Sequence, residues 1–169
     1  VMFVSSGDDL LGWLEARDSI RKSTPLAIKQ AQKMGLEVVM LTGDRKEPAE
    51  HIAKQIGISK VIAEVKPDDK ANVIATLQKE GKVVAMVGDG INDAAALTMA
   101  DVGLAMGAGS EVALESADIV LVRNDLLDAI SALDLGKATM NRIRTNLVWA
   151  FGYNIIGIPL ALGLLFPFT

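Results

Sequence analysis

Two aspartates that follow a run of apolar residues are the first candidates for chemistry in this sequence. The apolar run at 83–87 ends in glycine and leads into Asp89 and Asp93. A short apolar run that ends in glycine is typical of a strand buried on both faces of a parallel sheet, and such sheets carry their reactive groups beyond the carboxyl ends of the strands. Because Mg²⁺ takes one or two carboxylates and keeps water or phosphate as its other ligands, we predict Asp89 as its main ligand and Asp93 as a supporting residue. The alternative is a plain turn in which Asp93 caps the next helix.

A second apolar run, at 38–41, ends in Thr42, Gly43 and Asp44. A hydroxyl and free backbone N–H groups at a strand end are suited to holding a phosphoryl oxygen. Farther along the chain, Pro67 opens a helix that carries Lys70, whose charge would neutralise a transferring phosphoryl group. We therefore predict that Thr42 and Lys70 contact a phosphoryl group.

The spacing of apolar runs and helix signals predicts an α/β fold. Strands and helices alternate closely over the first half of the chain, which is the pattern of a parallel, doubly wound sheet. The net charge of −4 argues against a nucleic-acid partner, which requires a basic surface. The chain has no cysteine, so neither a disulfide nor a thiolate metal site is expected within it. Its first residue is Val1, and we interpret the chain as a segment of a longer protein.

The order of these motifs resembles the second half of the phosphorylation domain of a P-type ATPase of the heavy-metal-transporting class, in the haloacid-dehalogenase-like superfamily. The resemblance continues through the segments at 100–107, 115–121 and 140–146. It implies that Gly43, Asp44 and Asn92 join Thr42, Lys70, Asp89 and Asp93 in the catalytic site and that the intact protein uses Mg²⁺ and ATP. One position departs from the family pattern, because Ala95 stands where the family commonly has proline.

The resemblance implies a Rossmannoid parallel sheet, which lacks its central strand in this chain, followed by a transmembrane helix. The resemblance also implies the domain boundaries. Residues 1–17 would end a nucleotide-binding domain with a return hairpin, 18–135 would form the phosphorylation domain, 136–146 a basic juxtamembrane helix, and 147–168 the membrane helix.

The apolar run at 147–168 carries no charge, and about 20 apolar residues are what a bilayer span requires. The basic residues before it would lie on the cytoplasmic side. We therefore predict an integral membrane protein in contact with lipid, with residues before about 146 in the cytoplasm. A buried core helix is the alternative interpretation.

Tyr153 and Asn154 interrupt that run, and polar groups at membrane depth commonly face a helix bundle or a transport pathway. The pair resembles that of copper(I)-transporting members of the family. Zinc-type members usually have a charged residue in this helix. We therefore predict Cu(I) as the transported ion and Tyr153 and Asn154 as its contacts; hydrogen bonding between helices is the alternative role.

Three functions remain open. The resemblance favours an enzyme segment of a copper(I) pump that works with the remaining domains of the same protein. The family's phosphorylated aspartate heads an Asp-Lys-Thr-Gly-Thr motif, which this sequence lacks, so we expect the chain alone not to hydrolyse ATP. A soluble phosphatase of the same superfamily and a non-catalytic remnant with a binding or regulatory role are the alternatives.

Overall fold

The computed structural model describes residues 2–7, 9–14, 20–89, 92–107 and 115–163. Several predicted features lie wholly or partly outside these residues: the domain boundary between 17 and 18, residues 90–91 of the aspartate motif, and the end of the apolar run at 164–168.

The chain alternates strands with helices after an initial hairpin. The elements are β1 (Met2–Ser6), β2 (Asp9–Leu14), α1 (Thr24–Lys33), β3 (Val39–Leu41), α2 (Lys46–Ile56), β4 (Lys60–Ile62), α3 (Pro67–Lys79), β5 (Ala85–Gly88), α4 (Ala94–Met99), β6 (Val102–Met106), β7 (Ile119–Leu121) and α5 (Leu126–Ala161). The predicted α/β alternation is therefore confirmed, with parallel pairing in every strand pair after the hairpin.

The parallel strands form two separate ladders. β3 pairs with β4, and β5, β6 and β7 pair in that order. No ladder between described residues joins β3 to β5. The two ladders nevertheless share packing, since Leu41 at the end of β3 contacts the apolar cluster that contains Met86 of β5 and Ile74 of α3.

The three-stranded sheet is covered on both faces. Successive side chains of a strand point to opposite faces, and β6 buries both Leu104 and Ala105 completely. Ala105 belongs to the cluster formed with α3 and α4, whereas Leu104 packs with Leu121 and with Ala129 of α5. Helices on both faces of a parallel sheet are the usual arrangement, because neither face of such a sheet is polar enough to meet water.

The strand predicted at 83–87 begins two residues later than expected and ends one residue later. β5 begins at Ala85, where its pairing with Val102 begins, and Val83 before it is 85% exposed. Within β5 only Met86 and Gly88 are buried. The apolar character of residue 83 therefore does not reflect burial, because that residue lies before the first paired position of the sheet.

α5 packs only through its first turns. Its 36 residues start at the cap formed by Asp125, whose carboxylate accepts the N–H of Leu127. Ala129 and Ile130 are buried, and every residue from Asp134 to Phe151 is exposed. The boundary at 135 between the phosphorylation domain and the juxtamembrane helix stays a prediction.

The predicted membrane helix requires a correction. α5 ends at Ala161 and therefore holds only part of the predicted run at 147–168. No helix of the described residues is long and apolar enough to cross a membrane. The physical reason lies in the composition of α5: polar and basic residues continue to Asn146, and Tyr153 and Asn154 lower the apolar character of the remaining turns. For the described residues, the predictions of a transmembrane helix and of an integral membrane location are wrong.

Gly103 allows β6 to approach α4 closely. A Cβ atom built at Gly103 would lie 2.6 Å from the backbone oxygen of Leu97, so any larger residue must displace backbone. We expect Gly103→Ala to lower the free energy of unfolding by about 1–3 kcal/mol, the usual cost of overpacking. Urea unfolding of the 169-residue chain would measure the change.

The matched control is Gly136→Ala in the exposed part of α5, where a built Cβ meets no atom within 4 Å. Alanine is favoured over glycine in a helix by about 0.5–1 kcal/mol, so this variant should be slightly more stable. Equal effects of the two substitutions would contradict the close approach at Gly103.

Candidate functional site

An ion pair forms the centre of the site. The ammonium nitrogen of Lys70 lies 2.6 Å from Oδ1 of Asp93, and both side chains are only 13% exposed. Lys70 lies in the first turns of α3, and Asp93 is the residue immediately before α4. A short, charge-assisted hydrogen bond in a partly buried place is a strong one, so this contact ties two helices that are distant in sequence.

Gly88 makes room for this pair. A Cβ atom built at Gly88 would lie 2.6 Å from Oδ2 of Asp93 and 2.9 Å from its Cβ. Atoms cannot approach so closely, so the carboxylate of Asp93 takes the space that a side chain at position 88 would fill. In the sequence Gly88 ends an apolar run, and the structure gives it a steric role beside Asp93.

Asp89 follows β5 directly, and Asp89 and Asn92 are exposed. The described residues contain no group of three or more His, Cys, Asp or Glu side chains that could hold a metal ion. Mg²⁺ does not require such a group, because it commonly binds one or two carboxylates together with water and phosphate. The exposed carboxylate of Asp89 at the end of β5 fits that chemistry.

The loop after β3 is organised by Thr42 and Asp44. The hydroxyl of Thr42 donates to Oδ2 of Asp44 at 3.0 Å, and the N–H of Asp44 donates to the same hydroxyl oxygen at 3.1 Å. The only hydroxyl proton of Thr42 is thus used within its own loop. Donation to a phosphoryl oxygen would require the hydroxyl to rotate away from Asp44.

The structure brings four of the seven predicted catalytic residues together as two pairs. Thr42 is bonded to Asp44, and Lys70 to Asp93, with no hydrogen bond between the two pairs among the described residues. Both pairs border one core, because Leu41, which precedes Thr42, packs against the cluster of β5 and α3.

Tyr153 and Asn154 lie on the exposed part of α5, and Tyr153 is 79% exposed. The argument from polar groups at membrane depth no longer supports them, since α5 does not qualify as a membrane span. Their contact with a transported ion stays a prediction that no observation tests.

Resolved shifts in pKa occur away from this site. Glu37, before β3, accepts a hydrogen bond from Lys82 at 2.9 Å and lies 3.5 Å from Lys60. The hydrogen bond from Lys82, and then its charge, lower the pKa of Glu37 below its ordinary value. This group of charges joins the amino ends of β3, β4 and β5.

The fold and the strand-end residues agree with a match to a known protein family. Residues 2–101 match the family of haloacid dehalogenase-like hydrolases, and the chain belongs to that family. Among its relatives are metal pumps. Copper-transporting ATPase 1 of Mus musculus is 50% identical over 98% of this chain, and a copper-exporting P-type ATPase of Staphylococcus aureus (strain JH9) is 52% identical over 99% of it.

A solved structure is similar along most of the chain as well. The crystal structure of a zinc-transporting PIB-type ATPase in the E2.Pi state covers 95% of this chain at 38% identity, with a TM-score of 0.85, and the chain covers 26% of that structure. The chain spans 11% of the mouse relative and 21% of the bacterial one. The predicted match to a segment of a P-type heavy-metal ATPase is thereby confirmed.

The sequence predicted catalytic residues at the strand ends but did not predict the contact between Lys70 and Asp93. It assigned Lys70 to a phosphoryl group and Asp93 to Mg²⁺ or to a helix cap. The signal that could have suggested the pair is the combination of a lysine in the first turns of one helix and an aspartate immediately before another, both next to strand ends.

The ion pair can be tested by its effect on stability. We expect Asp93→Asn to lower the free energy of unfolding by about 1.5–3 kcal/mol, because it leaves the partly buried ammonium of Lys70 without its charged partner. In the double variant Lys70→Met/Asp93→Asn the loss should be smaller than the sum of the two single losses. Urea unfolding of the four proteins gives the coupling.

Glu50→Gln serves as the control. Glu50 pairs with Lys46 at 3.7 Å, with side chains 54% and 71% exposed, and an exposed pair of this kind contributes less than about 1 kcal/mol. Additive losses at Lys70 and Asp93 would show that the two groups do not interact in solution.

Proposed function

We propose that the chain supplies the Mg²⁺- and phosphoryl-binding half of the catalytic site of a copper(I)-translocating P-type ATPase. The observation that carries the proposal is the partly buried ion pair between Lys70 and Asp93, seated against Gly88 at the end of β5. The names of the similar proteins, which are metal-transporting ATPases, support ATP-driven ion transport as the reaction. Copper is favoured over zinc because the copper-transporting relatives are 50–52% identical and the zinc-transporting structure 38% identical.

Asp89 is the main Mg²⁺ ligand in this proposal. Its carboxylate is exposed directly after β5, and one oxygen of Asp93 accepts a hydrogen bond from Lys70. Asp93 therefore acts through Lys70, by holding the ammonium in a fixed position. Bound Mg²⁺ would neutralise charge on the phosphoryl oxygens.

Lys70 and the loop of Thr42, Gly43 and Asp44 hold the phosphoryl group. The ammonium of Lys70 is oriented before any substrate arrives, because Asp93 fixes it at 2.6 Å. A preorganised charge stabilises the transition state without having to reorient during the reaction. The hydroxyl of Thr42 donates to Asp44 in this structure, and in this proposal it rotates towards the phosphoryl oxygen when that group binds.

The chain lacks the Asp-Lys-Thr-Gly-Thr motif whose aspartate a P-type ATPase phosphorylates. Among the described residues no backbone ladder joins β3 to β5, and this break supports a position between the two strands for another part of the pump. In this proposal a strand from outside the chain carries the aspartate. A phosphatase acting alone would need an aspartate motif of its own. Reading the coding region upstream for an Asp-Lys-Thr-Gly-Thr motif separates the pump from a non-catalytic remnant.

The intact pump should form a phosphoenzyme from ATP and Mg²⁺, stimulated by Cu(I) and not by Zn²⁺. Asp89→Asn should abolish this phosphoenzyme, because the metal loses its main carboxylate. Incorporation of labelled phosphate from ATP is the measurement, and Glu50→Gln on the surface of α2 is the control. Normal phosphoenzyme in the Asp89 variant would remove the Mg²⁺ assignment, and stimulation by Zn²⁺ alone would remove copper.

Lys70→Ala should slow phosphoryl transfer by about two to three orders of magnitude, since a preorganised donor to a transferring group contributes about 2.7–4 kcal/mol to lowering the barrier. Lys46→Ala, on the exposed face of α2, should leave the rate unchanged. Rapid-quench measurement of phosphoenzyme formation would test this. An unchanged rate in the Lys70 variant would limit the role of Lys70 to structure.

A further inference from the structure

Glu64 has an uncommon backbone conformation. Its φ is 60°, and among the described residues it is the one residue other than glycine with positive φ. A Cβ atom makes this left-handed region costly. Such strain persists only where neighbouring contacts impose it, and it is concentrated at functional sites.

Two hydrogen bonds impose this conformation. The N–H of Glu64 donates to the carbonyl oxygen of Asp44 at 2.9 Å, and the N–H of Val65 donates to that of Thr42 at 3.1 Å. The carbonyl of Val65 also lies close to Gly43, where a built Cβ would be 3.3 Å away. The segment after β4 therefore contacts all three residues of the loop formed by Thr42, Gly43 and Asp44.

The chain must turn at this point for a second reason. α3 begins at Pro67, and proline restricts the residue before it to extended conformations. Lys66 is indeed extended, with φ −67° and ψ 154°. The reversal from β4 into α3 therefore falls on residues 63–65, and Glu64 provides it. Lys70 follows within the first turns of α3.

We propose that Glu64 is a positioning residue of the phosphoryl site. The left-handed backbone of Glu64 fixes the position of the loop of Thr42, Gly43 and Asp44 relative to the start of α3, the helix that carries Lys70. The carboxylate is not responsible: the side chain is exposed and forms no hydrogen bond or ion pair with other described residues. The effect of Glu64 on phosphoryl transfer rests on the function proposed above. Its effect on the position of the Thr42 loop relative to the segment after β4 does not.

The first test uses the 169-residue chain and needs no catalysis. Amide hydrogen exchange at residues 64 and 65 is measured by NMR for Glu64→Val, Glu64→Gly, Glu64→Asn and Glu64→Gln. Valine is a strong outlier at positive φ, so it should speed exchange at both amides by about tenfold. Glycine and asparagine accept this conformation and glutamine keeps the shape of glutamate, so these three variants should retain protection.

Unchanged exchange in the valine variant would overturn the proposal, and so would loss of protection in the glutamine variant, because the carboxylate would then be responsible. Exchange at Ala105, buried in β6, reports whether each variant is folded. If the valine variant does not fold, Glu64→Ala replaces it as a second removal of the carboxylate. Protection in both the alanine and glutamine variants supports the backbone role, and its loss in either variant contradicts that role.

The second test measures the rate of phosphoenzyme formation in the intact pump. Glu64→Val should slow it by about tenfold or more, and Glu64→Gly, which restores the backbone conformation, should return it to the wild-type rate. A wild-type pump that forms no phosphoenzyme would refute the proposed function and leave the exchange result standing. A wild-type rate in a valine variant with fast amide exchange would refute the positioning role alone.

Discussion

The contact between Lys70 and Asp93 is the constraint on which the arrangement of the site depends. Lys70 belongs to the helix that follows the two-stranded ladder, and Asp93 begins the helix that follows the first strand of the three-stranded one. No backbone ladder of the described residues bridges β3 and β5. A partly buried charge pair and a shared apolar cluster therefore hold the carboxyl ends of the two ladders together, and Gly88 is the residue whose lack of a side chain permits this geometry.

A second group of charges lies at the opposite ends of the strands. Ion pairs of Glu37 with Lys60 and Lys82 connect the amino ends of β3, β4 and β5. These side chains are between 38% and 54% exposed, so water and salt weaken their attraction far more than that of the pair at the site. The two ends of the strands are thus held with different strength, and the firmer end is the one proposed to bind the phosphoryl group.

Much of this molecule follows from local sequence patterns. Proline at the start of α3 predicted where that helix begins, and the apolar runs before Thr42 and Asp89 predicted strands that end within one residue of the observed ends. The pairing of Lys70 with Asp93 escaped prediction because it joins residues 23 positions apart, and only tertiary packing brings them together. The conformation of Glu64 escaped for a similar reason, since nothing in the residue type favours positive φ. The apolar run after Asn146 was misread because its length was counted over residues that α5 does not include.

The break between β3 and β5 has a consequence for handling the isolated chain. Unpaired strand edges offer rows of amide and carbonyl groups to any extended peptide, and natural proteins cover or blunt such edges to prevent aggregation. β3 and β5 are both short, at three and four residues, which limits how firmly a foreign strand can attach. Neither strand contains a lysine or a proline that would repel one. Self-association through this break should therefore increase with concentration, and a peptide that fills it would act as a solubilising partner.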